Sequence, residues 1–181
     1  MILSDSELVE MLREPRTRRE GFAVLVKQYS EKLYWKVRRI VLSHEDANDV
    51  LQNVFIKVWS NLQNFQGKSS LSTWLYRIAI NESLDFLRKQ KLADKVSADE
   101  DVSVVSRLMS DEYFDADEVQ ARLQEAVARL PEVQRTVFNL KYFEEMKYSE
   151  ISQILNTSEG ALKASYHLAV KKITEYLHLF D

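Results

Sequence analysis

Between Val50 and Leu62 the apolar residues Val50, Leu51, Val54, Phe55, Val58, Trp59 and Leu62 recur at steps of three and four, the pattern of one apolar face of an α-helix. Asp49, Gln52, Asn53 and Lys57 lie on the opposite face, and Ser43 and Asp46 stand at capping-box spacing near its start. A polar stretch, Asn64-Phe65-Gln66-Gly67-Lys68-Ser69-Ser70, interrupts the pattern with a single glycine and predicts a loop. Its serines and Thr73 are natural N-caps for a second helix carrying Leu71, Trp74, Leu75, Ile78, Ala79 and Leu84, with Arg77, Arg88, Lys89 and Lys91 spread along it. Trp74 shares a face with Leu71, Leu75 and Ile78 and is expected in the core.

The flanking chain is helical by the same criterion. Residues 4–14 read as a short helix, with Ser4 and Glu7 in capping-box register and Pro15 as its stop. A longer helix is expected from about Thr17 to Leu42, with Phe22, Leu25, Val26, Tyr29, Leu33, Val37 and Ile40 inward and Lys32, Lys36, Arg38 and Arg39 among the polar positions. After a change of character at Leu92, the pattern resumes over Ala116–Leu130, with Val119, Leu123, Val127 and Leu130 apolar. Pro131 is placed at the first position of the next helix, which carries Val133, Val137, Phe138 and Leu140 and ends near Glu144–Glu145. A short helix Tyr148–Leu155, a turn Asn156-Thr157-Ser158 and a long helix from Glu159 to about Leu179 complete the chain. In the last, Leu162, Tyr166, Ala169, Val170, Ile173 and Leu177 are expected inward. Two helices around a three-residue polar turn form a helix-turn-helix pattern.

Charge divides the chain in a way the overall value of −3 conceals. Residues 16–91 hold 14 basic and 7 acidic groups, whereas residues 92–120 hold 2 basic and 9 acidic; residues 121–181 are balanced at 8 of each. The basic block is either a phosphate-facing surface or a lysine-rich solvated one. The acidic stretch, rich in Ser and Asp with scattered Val104, Val105, Leu108, Met109 and Tyr113, is a linker by composition. The expected fold is therefore all-α, with two helical domains, 1–91 and 118–181, joined by an acidic linker over 92–117.

At 181 residues the chain has room for two small cores. It has no cysteine, so neither a disulfide framework nor a cysteine metal site is available, which suits a reducing cytosol. MILSDSELVE has no basic head followed by an apolar run, so no secretory signal is expected, and no segment is apolar for long enough to span a bilayer. The three histidines, His44, His167 and His178, fall on different elements without ligand spacing, and there is no phosphate loop or nucleophile elbow. No enzyme, metal or cofactor is expected; the fitting chemistry is binding.

The spacing D-x-x-Q-x-x-F, the Phe-x-Gly loop, T-W-L-Y-R-I-A-x-N and L-D-x-L-R-K resemble conserved region two of bacterial sigma factors, with the extracytoplasmic-function group the close match. L-P-E-x-x-R, Y-S-E-I-S-x-I-L and E-G-A-L-K-A-S-Y-H-x-A-V-K-K resemble region four. The resemblance covers about Gly21–Lys91 and Leu123–Leu177. It implies a promoter-specificity subunit that binds core RNA polymerase, recognises two promoter elements and helps open DNA, acting in the cytoplasm. Opening DNA requires a base to be taken from its stack and held by an aromatic or apolar wall, hydrogen-bonding groups and cations for the phosphates.

By this resemblance Phe65, Tyr76 and Ile78 wall a pocket, Asn61, Asn81 and the loop Gln66, Gly67, Lys68, Ser69 and Ser70 read the minus-ten base, and Lys68, Arg77 and Arg88 hold phosphates. Asp49, Gln52, Asn53 and Phe55 dock on the clamp helices of the polymerase largest subunit, with Phe55 equally suited to the core and Asn53 standing where the family often has an acid. The flap of the polymerase is the other implied contact. In the last helix Lys163, Ala164, Ser165, His167, Lys171 and Lys172, together with Lys141, face the minus-thirty-five element. Ser165, Leu168 and Val170 occupy positions where basic residues are frequent, so arginine readout of guanine is not available there. An anti-sigma factor is the implied regulator. The alternative is a sigma mimic that captures an anti-sigma factor without initiating transcription.

Overall fold

Ser4 opens the first helix with a reciprocal cap: its hydroxyl accepts from the Glu7 N–H, and the Glu7 carboxylate accepts from the Ser4 N–H at 2.8 Å. The Ser4 hydroxyl, donating to the Glu7 carboxylate at 2.6 Å, and after it the Ser4 N–H hold that carboxyl below its ordinary value. The structure, a computed structural model, describes residues 3–93 and 118–180. Among these residues there are eight α-helices and no strand: α1 (Asp5–Arg13), α2 (Arg18–Val41), α3 (His44–Asn61), α4 (Leu71–Ala93), α5 (Glu118–Ala128), α6 (Glu132–Phe138), α7 (Tyr148–Leu155) and α8 (Glu159–Leu177). They fall into two compact units, α1–α4 up to Leu92 (apart from the joint Leu42–His44) and α5–α8. The stretch expected as the acidic linker lies outside the described residues, except that α4 runs on through Leu92 to Ala93.

In the first unit the apolar stripes close on one another. Leu25, Leu33 and Val37 of α2, Val54 and Val58 of α3, and Leu75 and Ala79 of α4 are all fully buried. Each large aliphatic side chain removed from water contributes about 1.5–3 kcal/mol, so these stripes outweigh the modest helix propensity of the β-branched residues within them. Phe22 of α2 meets Phe55 and Trp59 of α3 edge-on, at ring-centroid distances of 6.4 and 5.0 Å. Lys57 of α3 and Glu82 of α4 form an ion pair that ties those two helices.

Some expected faces are narrower than the periodicity predicts. Trp59 is 42% exposed despite lying on the predicted stripe and meeting the ring of Phe22. Trp74 is half-buried rather than sealed in the core, and Val119, Val133 and Val170 are exposed. Val119 and Val133 are each the second residue of a helix, and Val170 lies about 80° around from Leu162, positions where apolar character alone does not determine burial.

In the second unit Ala126, Val127 and Leu130 pack with Phe138, Ala169 and Ile173. Pro131 precedes α6 rather than beginning it, with an extended ψ of 144°. The helix expected to reach Glu144 loosens after Phe138 into a wider turn over Asn139–Phe143, closed by the Glu144 N–H donating five residues back to the Asn139 carbonyl at 3.2 Å. Arg135, buried beneath it, donates to the carbonyls of Ala128 and Leu130, so a guanidinium closes the end of α5.

Candidate nucleic-acid interface

The loop between α3 and α4 is pinned at both ends by its own side chains. At the end of α3, Asn61 Nδ2 donates to the Lys57 carbonyl at 2.9 Å, and Asn61 Oδ1 accepts from Asn64 Nδ2 at 3.2 Å. A single 3-10 turn, Leu62–Asn64, follows. At the start of α4, Ser70 Oγ accepts from the Thr73 N–H at 3.2 Å and donates to Thr73 Oγ1 at 2.9 Å, so Ser70 caps the helix. Between these anchors Gln66, Gly67 and Lys68 are exposed and Ser69 is half-buried. Gly67 adopts φ +71°, a left-handed conformation that favours glycine.

Phe65 leads out of α3 onto Trp74, with ring centroids 5.2 Å apart. At about 100° per residue, Trp74, Arg77, Asn81 and Arg88 fall within one sector of α4 about 60° wide, opposite the buried Leu75, Ala79 and Ser83. Asn81 and Arg88 are exposed; Arg88 pairs with Asp85 at 2.8 Å on the surface. Loop and outer face together present an aromatic wall, amides and cations on one side of the unit.

Tyr76 is not part of that wall. It points toward α2, where Lys36 Nζ stands 4.1 Å from its ring centroid, and burial together with the nearby Asp5 carboxylate pushes its phenol up. Ile78 is half-buried between the two sides. The Asn61 amide is engaged on the Lys57 carbonyl and on Asn64. Thus Arg77, Asn81 and Arg88 share the outer side of α4 with Trp74, at whose end Phe65 and the Gln66–Ser70 loop lie; Arg88 stands about 20 Å along the helix from Trp74, and Tyr76 turns toward α2.

On α3, Asp49, Gln52 and Asn53 are exposed side by side, and Phe55 is half-buried against Phe22. Ile56, which the sequence reading did not single out, is 59% exposed in the middle of this polar face. Its signal was available: it stands three and four residues from Asn53 and Gln52, off the apolar stripe.

In the second unit, α7 and α8 meet at a tight turn. Asn156 takes the left-handed conformation (φ 50°) and Ser158 Oγ accepts from the Ala161 N–H, capping α8. At the start of α7 the Glu150 carboxylate accepts from the Lys147 N–H at 2.9 Å. Lys163, Ala164, His167 and Lys171 are exposed on one side of α8, joined by Gly160, around which a Cβ would meet nothing within 4 Å. Ser165 is half-buried on the flank, and Lys172 is exposed about 100° around from Lys171. Lys141 donates to the Met146 carbonyl at 3.1 Å and, with Lys163, flanks the ring of Tyr148, at 5.0 and 5.6 Å from its centroid. Tyr148 was not among the expected residues; its burial and the neighbouring Tyr166 push its phenol up.

Among the described residues no group of three or more His, Cys, Asp or Glu could hold a metal ion. Among the same residues no helix is long and apolar enough to cross a membrane.

Comparison with known proteins converges on one family. The model of sigma-70 region 2 matches residues 25–93, and that of sigma-70 region 4 matches residues 120–173. The ECF RNA polymerase sigma factor SigW of Bacillus subtilis is 33% identical, over 82% of this chain and 84% of its own. The RNA polymerase sigma-H factor of Pseudomonas aeruginosa is 31% identical, over 96% and 93%. Among solved structures, the sigma factor RpoE of Bartonella quintana, in complex with the anti-sigma factor NepR, superposes with a TM-score of 0.68 over 88% of this chain and 98% of its own, at 21% identity. CnrH, in complex with the cytosolic domain of CnrY, has a TM-score of 0.64, 98% and 96% coverage and 19% identity; both likenesses are of fold. The chain belongs to the sigma-70 family, in its extracytoplasmic-function group, and is a promoter-specificity subunit of RNA polymerase.

Proposed function

We propose that the two units divide promoter recognition between them, and that the first also carries the polymerase contact. The outer face of α3, with Asp49, Gln52, Asn53 and Ile56, docks on the clamp helices of the largest polymerase subunit. The loop Phe65–Ser70 and the outer face of α4 hold a base of the minus-ten element outside its stack, with Asn81 and Gln66 donating and accepting and Lys68, Arg77 and Arg88 on the phosphates. The observation that carries this reading is the single-sided arrangement of Phe65, Trp74, Arg77, Asn81 and the loop in a chain of this family.

The second unit sets the start of α8 in the major groove of the minus-thirty-five element. Gly160 lets the groove wall approach, Ala164 and His167 face base edges, and Lys163, Lys171 and Lys141 engage phosphates. Lys172 and Ser165 lie to the side and act through the backbone of the DNA or not at all. The protein works in the cytoplasm, is not itself an enzyme, and is held in check by an anti-sigma factor, as the fold neighbours solved in such complexes suggest.

A promoter selection tests the reading. The chain is mixed with bacterial core RNA polymerase and a random pool of duplexes, and productive templates are sequenced, alongside Asn81→Ala and Gln66→Ala/Lys68→Ala. The wild type should enrich a bipartite motif, and both variants should relax its downstream half. An enriched motif untouched by either variant would remove the assigned role from this face.

A further inference from the structure

α1 ends ahead of the residues matched to region two, and nothing proposed above uses it. A nine-residue helix does not hold its shape alone in water. This one is fastened along its whole length. At its start the Leu3 N–H donates to Gln28 Oε1 at 3.2 Å and Gln28 Nε2 donates back to the Leu3 carbonyl at 3.0 Å. The Tyr29 hydroxyl donates to Asp5 at 2.5 Å. In the middle, Leu8 and Leu12 are buried, and α1 runs so close to α2 that a Cβ on Gly21 would meet the Met11 Cβ at 2.9 Å. At its end Thr17 Oγ1 donates to the Met11 carbonyl at 2.9 Å, and Arg18 donates to the carbonyls of Leu12 and Arg13 at 3.0 and 3.3 Å.

So firmly held a helix can act as a fixed wall, and the wall faces the loop. α1 packs against the 3-10 turn Leu62–Asn64. Arg13 Nη2 stands 3.6 Å from where a Cβ on Gly67 would sit, at the point where the loop takes its left-handed turn. Arg13 itself is exposed and is available to touch the loop without being part of the core. A glycine-containing loop has many conformations of similar energy, and a rigid neighbour is what selects one of them.

We propose that α1 is a brace for the loop, with Arg13 the positioning residue that holds the Gly67 turn in the form that presents Gln66, Lys68 and Ser69. The proposal rests on the reading of that loop as the minus-ten contact. It differs from a direct contact of Arg13 with a DNA phosphate, because a brace acts before DNA is bound.

The test uses the full chain and the variants Arg13→Ala and Arg13→Lys. Hydrogen–deuterium exchange of the free protein should be about fivefold faster over residues 65–70 in Arg13→Ala, with the interior of α4 and the thermal midpoint unchanged. On a selected promoter with core polymerase, the same variant should lower opening about fivefold at unchanged core affinity and unchanged salt dependence. Arg13→Lys, lacking the flat fork, should recover only part of both effects. Unchanged exchange in Arg13→Ala overturns the brace. If exchange is unchanged while opening falls, the salt dependence flattens and lysine restores it, Arg13 is a phosphate contact instead. Failure of the underlying reading shows separately, as a downstream motif indifferent to Gln66→Ala/Lys68→Ala, while exchange in the free chain still decides whether the brace exists.

Discussion

Phe65 lies against Trp74 with ring centroids 5.2 Å apart and planes tilted by 50°, so the first residue of the loop is anchored on the outer face of the helix that follows it. An aromatic pair of this kind contributes about 0.5–1.5 kcal/mol beyond its buried area. We predict that Phe65→Ala and Trp74→Ala each lower stability by about 1 kcal/mol and that the double variant costs less than their sum. Denaturant unfolding of the four proteins measures the coupling. A coupling energy of zero would mean that the two rings are neighbours without holding each other.

The ion pair between Lys57 and Glu82 is unequal. The Lys57 side chain is 53% exposed and that of Glu82 only 13%. Removing the lysine leaves a largely buried carboxylate without its cation, whereas neutralising the carboxylate leaves a lysine that water can solvate. Lys57→Met should therefore destabilise by about 1 kcal/mol, and Glu82→Gln by less. Equal losses in urea titrations would show that the unequal burial of the two partners does not set the cost of breaking the pair.

The turn between α7 and α8 is a place where sequence chemistry and backbone agree. Asn156 has φ 50°, a conformation costing an ordinary side chain about 1 kcal/mol or more, and Ser158 caps α8 through the Ala161 N–H. Asn156→Gly should be neutral or nearly so, while Asn156→Ala and Ser158→Ala should each cost about 1 kcal/mol. Because α8 begins there, Ser158→Ala should also weaken binding to the upstream element more than its loss of stability accounts for. A variant as stable as wild type would exclude the cap as a contributor.

Much of this architecture is readable from the chain because its signals are local. The Ser4–Glu7 box, the stop at Pro15, the loop at Gly67 and the turn at Asn156–Ser158 each follow from a few adjacent residues, and the structure contains all of them. What the sequence could not supply are relationships across elements. The exposure of Trp59 depends on how much of its ring Phe22 covers, and the separation of Tyr76 from Phe65 depends on which side of α4 faces α2. The family resemblance set Phe65, Tyr76 and Ile78 in one pocket wall, but Tyr76 and Ile78 are about 160° apart around the helix. Ile56 was legible in the chain as an apolar residue off the stripe, among Gln52 and Asn53, whereas Tyr148, an aromatic at a helix start, has no meaning until Lys141 and Lys163 are found beside it.

Lys36 offers a pH-dependent readout of the first unit. Burial, with Arg39 and Lys32 adding to it, pushes its ammonium down to about 8 from an ordinary 10.5, against the favourable ring of Tyr76. Between these values the folded chain binds fewer protons than the unfolded one, so this lysine makes stability rise as pH increases from about 8 towards 10.5. Below that window its cost to the folded state is fully present. Lys36→Met should therefore be more stable than wild type at pH 7, with the difference shrinking as pH rises through the window. Parallel stability–pH curves for the two proteins would rule out a depressed Lys36.

Lys141 and Lys163 flank Tyr148 from two elements, yet they should behave differently when removed. Lys163 has no role in the fold beyond that ring, being exposed on α8, whereas Lys141 also donates to the Met146 carbonyl and so closes the wide turn after α6. If both reach upstream-element phosphates, each alanine variant should reduce the slope of log affinity against log salt by about 0.9. Lys163→Ala should do so at unchanged stability, because a surface lysine removed cleanly costs within about 0.5 kcal/mol. Lys141→Ala should lose roughly 1 kcal/mol of stability as well, since the Met146 carbonyl loses a charged donor. Salt titrations of holoenzyme binding to a selected promoter, set beside thermal melts of the free chain, separate the two roles. A slope unchanged in Lys163→Ala would take that lysine off the DNA and leave it as a lid on Tyr148.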